Sequence, residues 1–186
     1  MTTIFYTASS LDGFIATSQH GLDWLLRRDV DPDGPMGYAA FARSVGALVM
    51  GAATYEWLLA HDAGWAYAQP TWVLTHRPLP ARPGADVRVA HGDVRAVHEQ
   101  MTAAAGDRDL WVVGGGDVAR QFAVAGLLDE IWVQFAPVTL GAGIPFLPLA
   151  LELALLQTAR NREFLCGRYR VVGVPGTPDP VGAEDT

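Results

Sequence analysis

LWVVGGGDVARQFAVAGLLDEIWVQFAPVTLGAGIPFL, residues 110–147, is the stretch that decides the fold. Leu110 to Val113 is an apolar run long enough for a buried strand and too short for a helix. Gly114, Gly115 and Gly116 follow. Val118, Phe122 and Ala125 then recur at i, i+4 and i+7, which predicts a helix with one buried face. Gly126 is placed to end that helix in left-handed backbone, and residues 130–137 return as a β-rich run. The predicted unit is therefore strand, glycine turn, helix, strand. Glycines let a ligand approach the backbone, and a helix N-terminus offers N–H groups and partial positive charge. A nucleotide phosphate is the natural occupant, with tight backbone packing as the alternative. Gly114-x-Gly116-x-x-Ala119 also fits the Rossmann fingerprint. That fingerprint asks for an acid about 20 residues on, where residues 134–139 read QFAPVT. Several strands also precede the unit, so a standard Rossmann arrangement is disfavoured.

Outward from this unit, strands and helices alternate. Residues 4–9 read as the first strand, followed by an Asp12-Gly13 turn. Residues 17–35 form a long loop of the kind that often serves as a lid, with a helical or packed turn at 22–26. A helix is expected at 36–45 and a buried strand at 47–50. Gly51 then opens a second helix, with Thr54 able to cap it or to bind phosphate. Residues 71–75 are a strand ending at His76 and Arg77, and 87–90 another. Residues 93–105 are a helix capped by Asp93, with Val94, Val97 and Met101 facing inward. Residues 151–159 and 164–174 suggest a terminal hairpin, or a short helix and a strand. The pattern is that of one α/β domain over residues 1–174. The tail, 175–186, is rich in Pro, Gly and acids and is expected to be disordered.

Composition narrows the function. The 186 residues are half apolar, carry a net charge of −7 and include no lysine. This charge disfavours nucleic acid and anionic membrane surfaces as partners. No apolar stretch reaches the length of a membrane span and no leader pattern opens the chain, so a cytoplasmic protein is expected. Cys166 stands alone, which excludes an internal disulfide and a multi-cysteine metal site; a packed thiol is expected. His20, His61, His76, His91 and His98 show no ligand spacing, and no metal is expected. Neither a Gly-x-Ser-x-Gly elbow nor a Walker lysine is present.

The ordered set Ser10-Leu11-Asp12-Gly13-Phe14-Ile15-Ala16, Gly51-x-x-Thr54-Tyr55-Glu56, Val113-Gly114-Gly115-Gly116, Gly126-Leu127-Leu128-Asp129-Glu130 and Pro137-Val138-x-Leu140-Gly141-x-Gly143 resembles the dihydrofolate reductase-like superfamily. The closer likeness is to its branch related to the reductase domain of bacterial riboflavin biosynthesis, over residues 2–173. The resemblance implies a three-layer fold, a mostly parallel sheet with helices on both faces, that binds NADPH and is often a homodimer. It places Ala8 and Ile15 at the nicotinamide. Gly51, Ala53 and Thr54 would hold phosphate, as would Gly114, Gly115, Gly116, Asp117 and Val118. Thr75, His76 and Arg77 would lie near the adenosine ribose and its 2′-phosphate. Where the family usually has Arg after the first of these glycines, this chain has Ala52 and Ala53. Such a contact is worth about 1.5–3 kcal/mol; Arg77 is the candidate replacement, and NADH is not excluded. The helix at 36–45 lacks the acid that pairs with a pterin, which argues against folate.

The expected function is an NAD(P)H-dependent reductase that passes hydride to a small heterocyclic or carbonyl substrate. Asp12, Asp23 and Tyr38 are the candidates to supply a proton or orient that substrate, with Glu56 a further one. The competing role of Asp12, and the stronger one, is to cap the loop after the first strand; that of Asp23 is a solvated loop acid. Trp24, Trp57 and Trp65 could stack on a flat heterocycle or simply pack. The alternative is a nucleotide-binding or dimerisation module that keeps the fold without turnover.

Overall fold

Strands rich in β-branched and aromatic residues alternate with helices, and the computed structural model, which describes residues 1–61 and 65–175, shows how they pack. The tail expected to be disordered lies, from residue 176 on, outside the described residues. The elements run β1 (Thr3–Ser10), β2 (Phe14–Ala16), α1 (Asp23–Leu26), α2 (Tyr38–Ser44), β3 (Val45–Gly51), α3 (Ala52–His61), β4 (Thr71–Leu74) and β5 (Val87–Ala90). Then follow α4 (Val94–Ala105), β6 (Asp109–Gly114), α5 (Gly116–Val124), β7 (Glu130–Ala136), β8 (Ile144–Pro145), β9 (Glu152–Asn161) and β10 (Phe164–Gly173). The segment left open between helix and strand is the strand β9, paired antiparallel with β10.

Eight strands form one sheet in the order β5-β4-β3-β6-β1-β7-β10-β9. The six from β5 to β7 are parallel; β10 runs against them, and β9, at the edge, runs back in their direction. Parallel strands need long crossovers, which α3, α4 and α5 supply. Strands covered on both faces are apolar throughout, as β3 is. Alternate residues feed two layers. Phe5, Val49, Val112 and Trp72 face Val97 and Met101 of α4 and Phe122 of α5. Ile4, Tyr6, Leu48 and Trp111 face Phe41 of α2, and Met50 and Val73 face Tyr55 of α3. This is the three-layer α/β fold expected.

The helix ends follow local chemistry. Asp93 Oδ1 accepts from the Arg95 amide at 2.9 Å and caps α4. At the end of α5, Gly126 has φ +71°, its amide donates to Ala123 O at 3.0 Å, and Leu127 N donates to Phe122 O at 2.9 Å. This Schellman arrangement needs the left-handed backbone that glycine adopts freely.

The long loop, with the short helix α1 at its expected turn, is anchored to the sheet. Trp24 on α1 is buried against Ala136, Phe164 and Cys166. Further along, Asp31 and Asn161 exchange two hydrogen bonds, Asp31 N to Asn161 Oδ1 at 3.0 Å and Asn161 Nδ2 to Asp31 O at 2.8 Å. Gln134 Nε2 donates to Met36 O at 3.0 Å and Tyr6 Oη at 2.8 Å. Cys166 is fully buried in β10. A short antiparallel pair of β2 with β8 closes the end of the sheet where β1 stops. It passes so close to α5 that a Cβ on Gly116 would strike the carbonyl oxygens of Pro145 and Phe146.

Glu130, at the start of β7, accepts from Arg168 Nε at 2.7 Å, Arg168 Nη2 at 2.8 Å and Trp132 Nε1 at 2.7 Å. The Arg168 guanidinium also lies 4.8 Å over the Trp132 ring. Burial alone would raise the Glu130 carboxyl, but these bonds outweigh it and hold it below the usual carboxylate range. A lowered pKa contributes stability that is present above the unfolded value and is lost as pH falls through the folded one. Glu130→Gln is therefore expected to lose about 1.5–3 kcal/mol of unfolding free energy at neutral pH. The gap between the two proteins should close below the normal carboxylate range, as urea melts at neutral and acid pH would measure.

Candidate functional site

In open α/β sheets, ligands bind at the carboxyl ends of the strands where the strand order reverses. Here the chain skips a place in passing from β1 to β3, and β6 fills it. At the carboxyl ends of these three strands lies a pocket of about 270 Å³. Thr7 and Ala8 of β1, Gly51 of β3, Val113 and Gly114 of β6, and Gly115 directly after it form its floor. Ala53, Thr54 and Trp57 of α3 form one wall, and Ile15 and Ile144 of the β2–β8 pair another. His20, Leu22 and Leu25, from the long loop, close the third side. A larger depression of about 510 Å³ lies at the opposite end of the sheet, against Met1, Asp129 and Arg170. It is the carboxyl-end pocket that meets the two glycine-opened helices.

Both helices start at its floor: α3 directly after Gly51, and α5 directly after Gly115. The Gly114–Gly115 peptide is cis. A Cβ on Gly115 would meet Ile15 Cδ1 at 3.7 Å, and one on Gly114 would meet Thr54 Oγ1 at 3.4 Å. Any side chain at these two positions would thus stand in the space between Ile15 and Thr54. The glycines leave an open cradle there, bounded by the first turns of two helices with their N–H groups and positive end.

Of the residues expected at a cofactor, Ala8, Ile15, Gly51, Ala53, Thr54, Gly114 and Gly115 come together on this lining. Gly116, Asp117 and Val118 form the first turn of α5 just behind it. The Asp117 carboxylate is turned along its own helix, accepting from Arg120 Nε and Gln121 Nε2, each at 2.8 Å. The Arg120 bond holds it below the usual carboxylate range. Thr75, His76 and Arg77 follow β4 and do not line the pocket. Thr75 Oγ1 accepts from Arg77 N at 3.1 Å, and Arg77 Nη2 donates to Glu56 Oε2 at 2.6 Å.

Asp12, Asp23 and Tyr38 are not brought into the pocket. Asp12 ties one loop to another: its carboxylate accepts from Ser10 Oγ at 2.6 Å, Leu140 N at 3.0 Å and Gly141 N at 2.7 Å. The Ser10 hydroxyl and the two amides hold it below its ordinary pKa. Asp23 is exposed at the start of α1, while Leu22 and Leu25 beside it point inward. Tyr38 packs on α2 with its ring 5.7 Å from Trp111, and burial pushes its phenol up.

Among the described residues, His20 is the one ionisable side chain on the lining. Its backbone is left-handed, φ +61°, in a turn closed by His20 N to Thr17 O at 2.9 Å and Gly21 N to Thr17 Oγ1 at 2.9 Å. Sequence reasoning treats it as a scattered surface histidine; the signal available was the hydroxyl of Thr17 four residues before Gly21, which forms a local turn. Trp57 lines the pocket with its ring stacked on His61 at 4.3 Å, whereas Trp65 packs on Tyr55 and Tyr67. Among the described residues no group of three His, Cys, Asp or Glu side chains could hold a metal ion, and no helix is long and apolar enough to cross a membrane.

Residues 59–163 match the model of the RibD C-terminal domain. The Bacillus subtilis protein YwjB, itself uncharacterized, is 30% identical over 163 residues, 87% of this chain and 91% of that protein. The crystal structure of a Shewanella sp. PV-4 protein, provisionally assigned to riboflavin biosynthesis, superposes with a TM-score of 0.79 at 27% identity. It covers 92% of this chain and 99% of its own. Dihydrofolate reductase from Enterococcus faecalis, in complex with NADP(H) and RAB-propyl, shares the fold at a TM-score of 0.57 and 17% identity. That match covers 91% of this chain and 94% of the enzyme.

The Asp12 contacts carry a consequence for the pocket's outer wall. Asp12→Asn is expected to lower the melting temperature and to speed hydrogen exchange at the amides of Leu140 and Gly141. The same loss of protection, measured against the intrinsic exchange rate at each pH, should appear in the native protein as pH falls through the lowered Asp12 pKa; exchange followed by NMR measures both.

Proposed function

This chain belongs to the RibD C-terminal domain family, and from that premise we propose that it is a reductase that binds a nicotinamide dinucleotide, NADPH in the first place, and reduces a small heterocyclic or carbonyl substrate. The observation that carries this is the glycine cradle between Ile15 and Thr54, set where the first turns of α3 and α5 converge. Gly114, Gly115, Ala53 and Thr54 would hold the dinucleotide beside Ala8 and Ile15, and the first turn of α5, Gly116 to Val118, would offer N–H groups to its phosphates. Bound there, the cofactor would supply hydride. The protein's own part is to exclude water with Leu22, Leu25 and Ile144, to orient the acceptor, and to give it a proton. Asp12, Asp23 and Tyr38 stand away from the pocket, so His20 is the better placed donor.

That same absence of the expected acids favours a second possibility, a nucleotide-binding module without turnover. Substrate-dependent oxidation of the cofactor separates the two. A dimer is also proposed, through the outer strand β9, where Leu153, Leu155 and Leu156 are 41%, 59% and 47% exposed. Leu155→Glu should then sediment as a monomer where the native chain sediments as a dimer.

Titration with NADPH and with NADH, followed by tryptophan fluorescence, tests the assignment. Micromolar NADPH should quench the emission, and Trp57→Phe should lose most of that quenching while binding persists. Binding of neither nucleotide would overturn it.

A further inference from the structure

A pocket of about 270 Å³ is too small for a whole dinucleotide, which must continue along the carboxyl ends of the strands. On the β1 and β7 side that path is closed. Leu11 N donates to Val138 O at 2.8 Å, Phe146 N to Gly13 O at 2.8 Å, and Asp12 holds the loop at Leu140 and Gly141. The other direction, past α3 toward the ends of β4 and β5, leads to His76, Arg77 and His91, with the two imidazole rings 6.3 Å apart. There the Arg77 guanidinium meets the Glu56 carboxylate at 2.6 Å, and the two side chains are 58% and 37% exposed. Glu56 is carried on α3 between Thr54 and Trp57, both of which line the pocket.

An arginine at this end of a dinucleotide site accommodates a 2′-phosphate, and a carboxylate there accepts a hydrogen bond from a 2′-hydroxyl. This chain has both, and they hold each other. We propose that Glu56 is a positioning residue that sets the choice between NADPH and NADH by occupying Arg77. A 2′-phosphate arriving at Arg77 must displace a carboxylate and lie near its negative charge. A 2′-hydroxyl meets no such opposition and can donate to Glu56. The pair is exposed, so it breaks at little cost, and the chain binds NADPH with only a small advantage. The inference rests on the dinucleotide site proposed above.

The experiment is titration of the full chain and of Glu56→Gln and Arg77→Gln with NADPH and NADH, by tryptophan fluorescence at low ionic strength. Thermal melts of the variants should match the native chain, since an exposed pair contributes little to folding. Glu56→Gln should tighten NADPH about fivefold, what an exposed ion pair is worth at most, with NADH changed less than about twofold. Arg77→Gln should weaken NADPH toward the NADH value and leave NADH alone. If Glu56→Gln leaves the ratio of the two affinities unchanged while both nucleotides bind, Glu56 has no part in the choice and the dinucleotide site still stands. If neither nucleotide binds the native chain or the variants, the site itself is refuted and the inference falls with it.

Discussion

Backbone packed on backbone at Gly116 is the contact on which the functional end of the molecule depends. The carbonyls of Pro145 and Phe146 occupy the position that a side chain at Gly116 would take. A Cβ there would push β8 off the first turn of α5, and overpacking of this kind typically costs about 1–3 kcal/mol. β8 in turn pairs with β2, Gly143 fits under the Ala16 carbonyl, and Phe146 stacks on Phe5 with ring centroids 5.3 Å apart. One close approach thereby fixes the helix start, the β2–β8 wall and the place of Ile15 over Gly115. The glycine triplet serves packing and cradle at once: Gly116 for the first, Gly114 and Gly115 for the second.

The opposite wall is built on another principle. The loop between β2 and α2 has little regular structure, yet Trp24 is sunk in the apolar cluster beside Cys166 and Asp31 is held by Asn161. Anchored at these points, it presents Leu22 and Leu25 to the pocket and leaves residues 18–20 exposed at its mouth. A rigid floor with a partly tethered loop is the division of labour expected where a ligand must enter and then be shielded from water.

Most of the fold was legible in the sequence. Apolar runs at 47–50 and 110–113, each followed at once by glycine and a helical period, announce parallel strands, because only buried strands are apolar on both faces. Gly126 and Asp93 mark helix ends through backbone and hydrogen-bonding constraints that are local. The outer strand β9 was harder: ELALLQTARN carries leucines without clean alternation, and its register with β10 shifts at Tyr169. At the site, glycines and small residues could be located because their use is a property of the backbone. Side-chain roles could not. Whether Asp12 faces a ligand or the amides of Leu140 and Gly141 depends on a loop 128 residues away in sequence. The engagement of Arg77 by Glu56 is likewise set by tertiary packing, which neighbouring residues do not encode.

The burial of Cys166 has a use of its own. It pairs across β10 with Gln134 on one side and Ala159 on the other, and no solvent reaches it. Burial also pushes its thiol up, which further slows attack on a disulfide reagent. The chain has no other sulfhydryl. Its modification rate therefore clocks the transient opening of the cluster it shares with Trp24, Ala136 and Phe164, a built-in gauge of how readily the long loop lifts from the sheet.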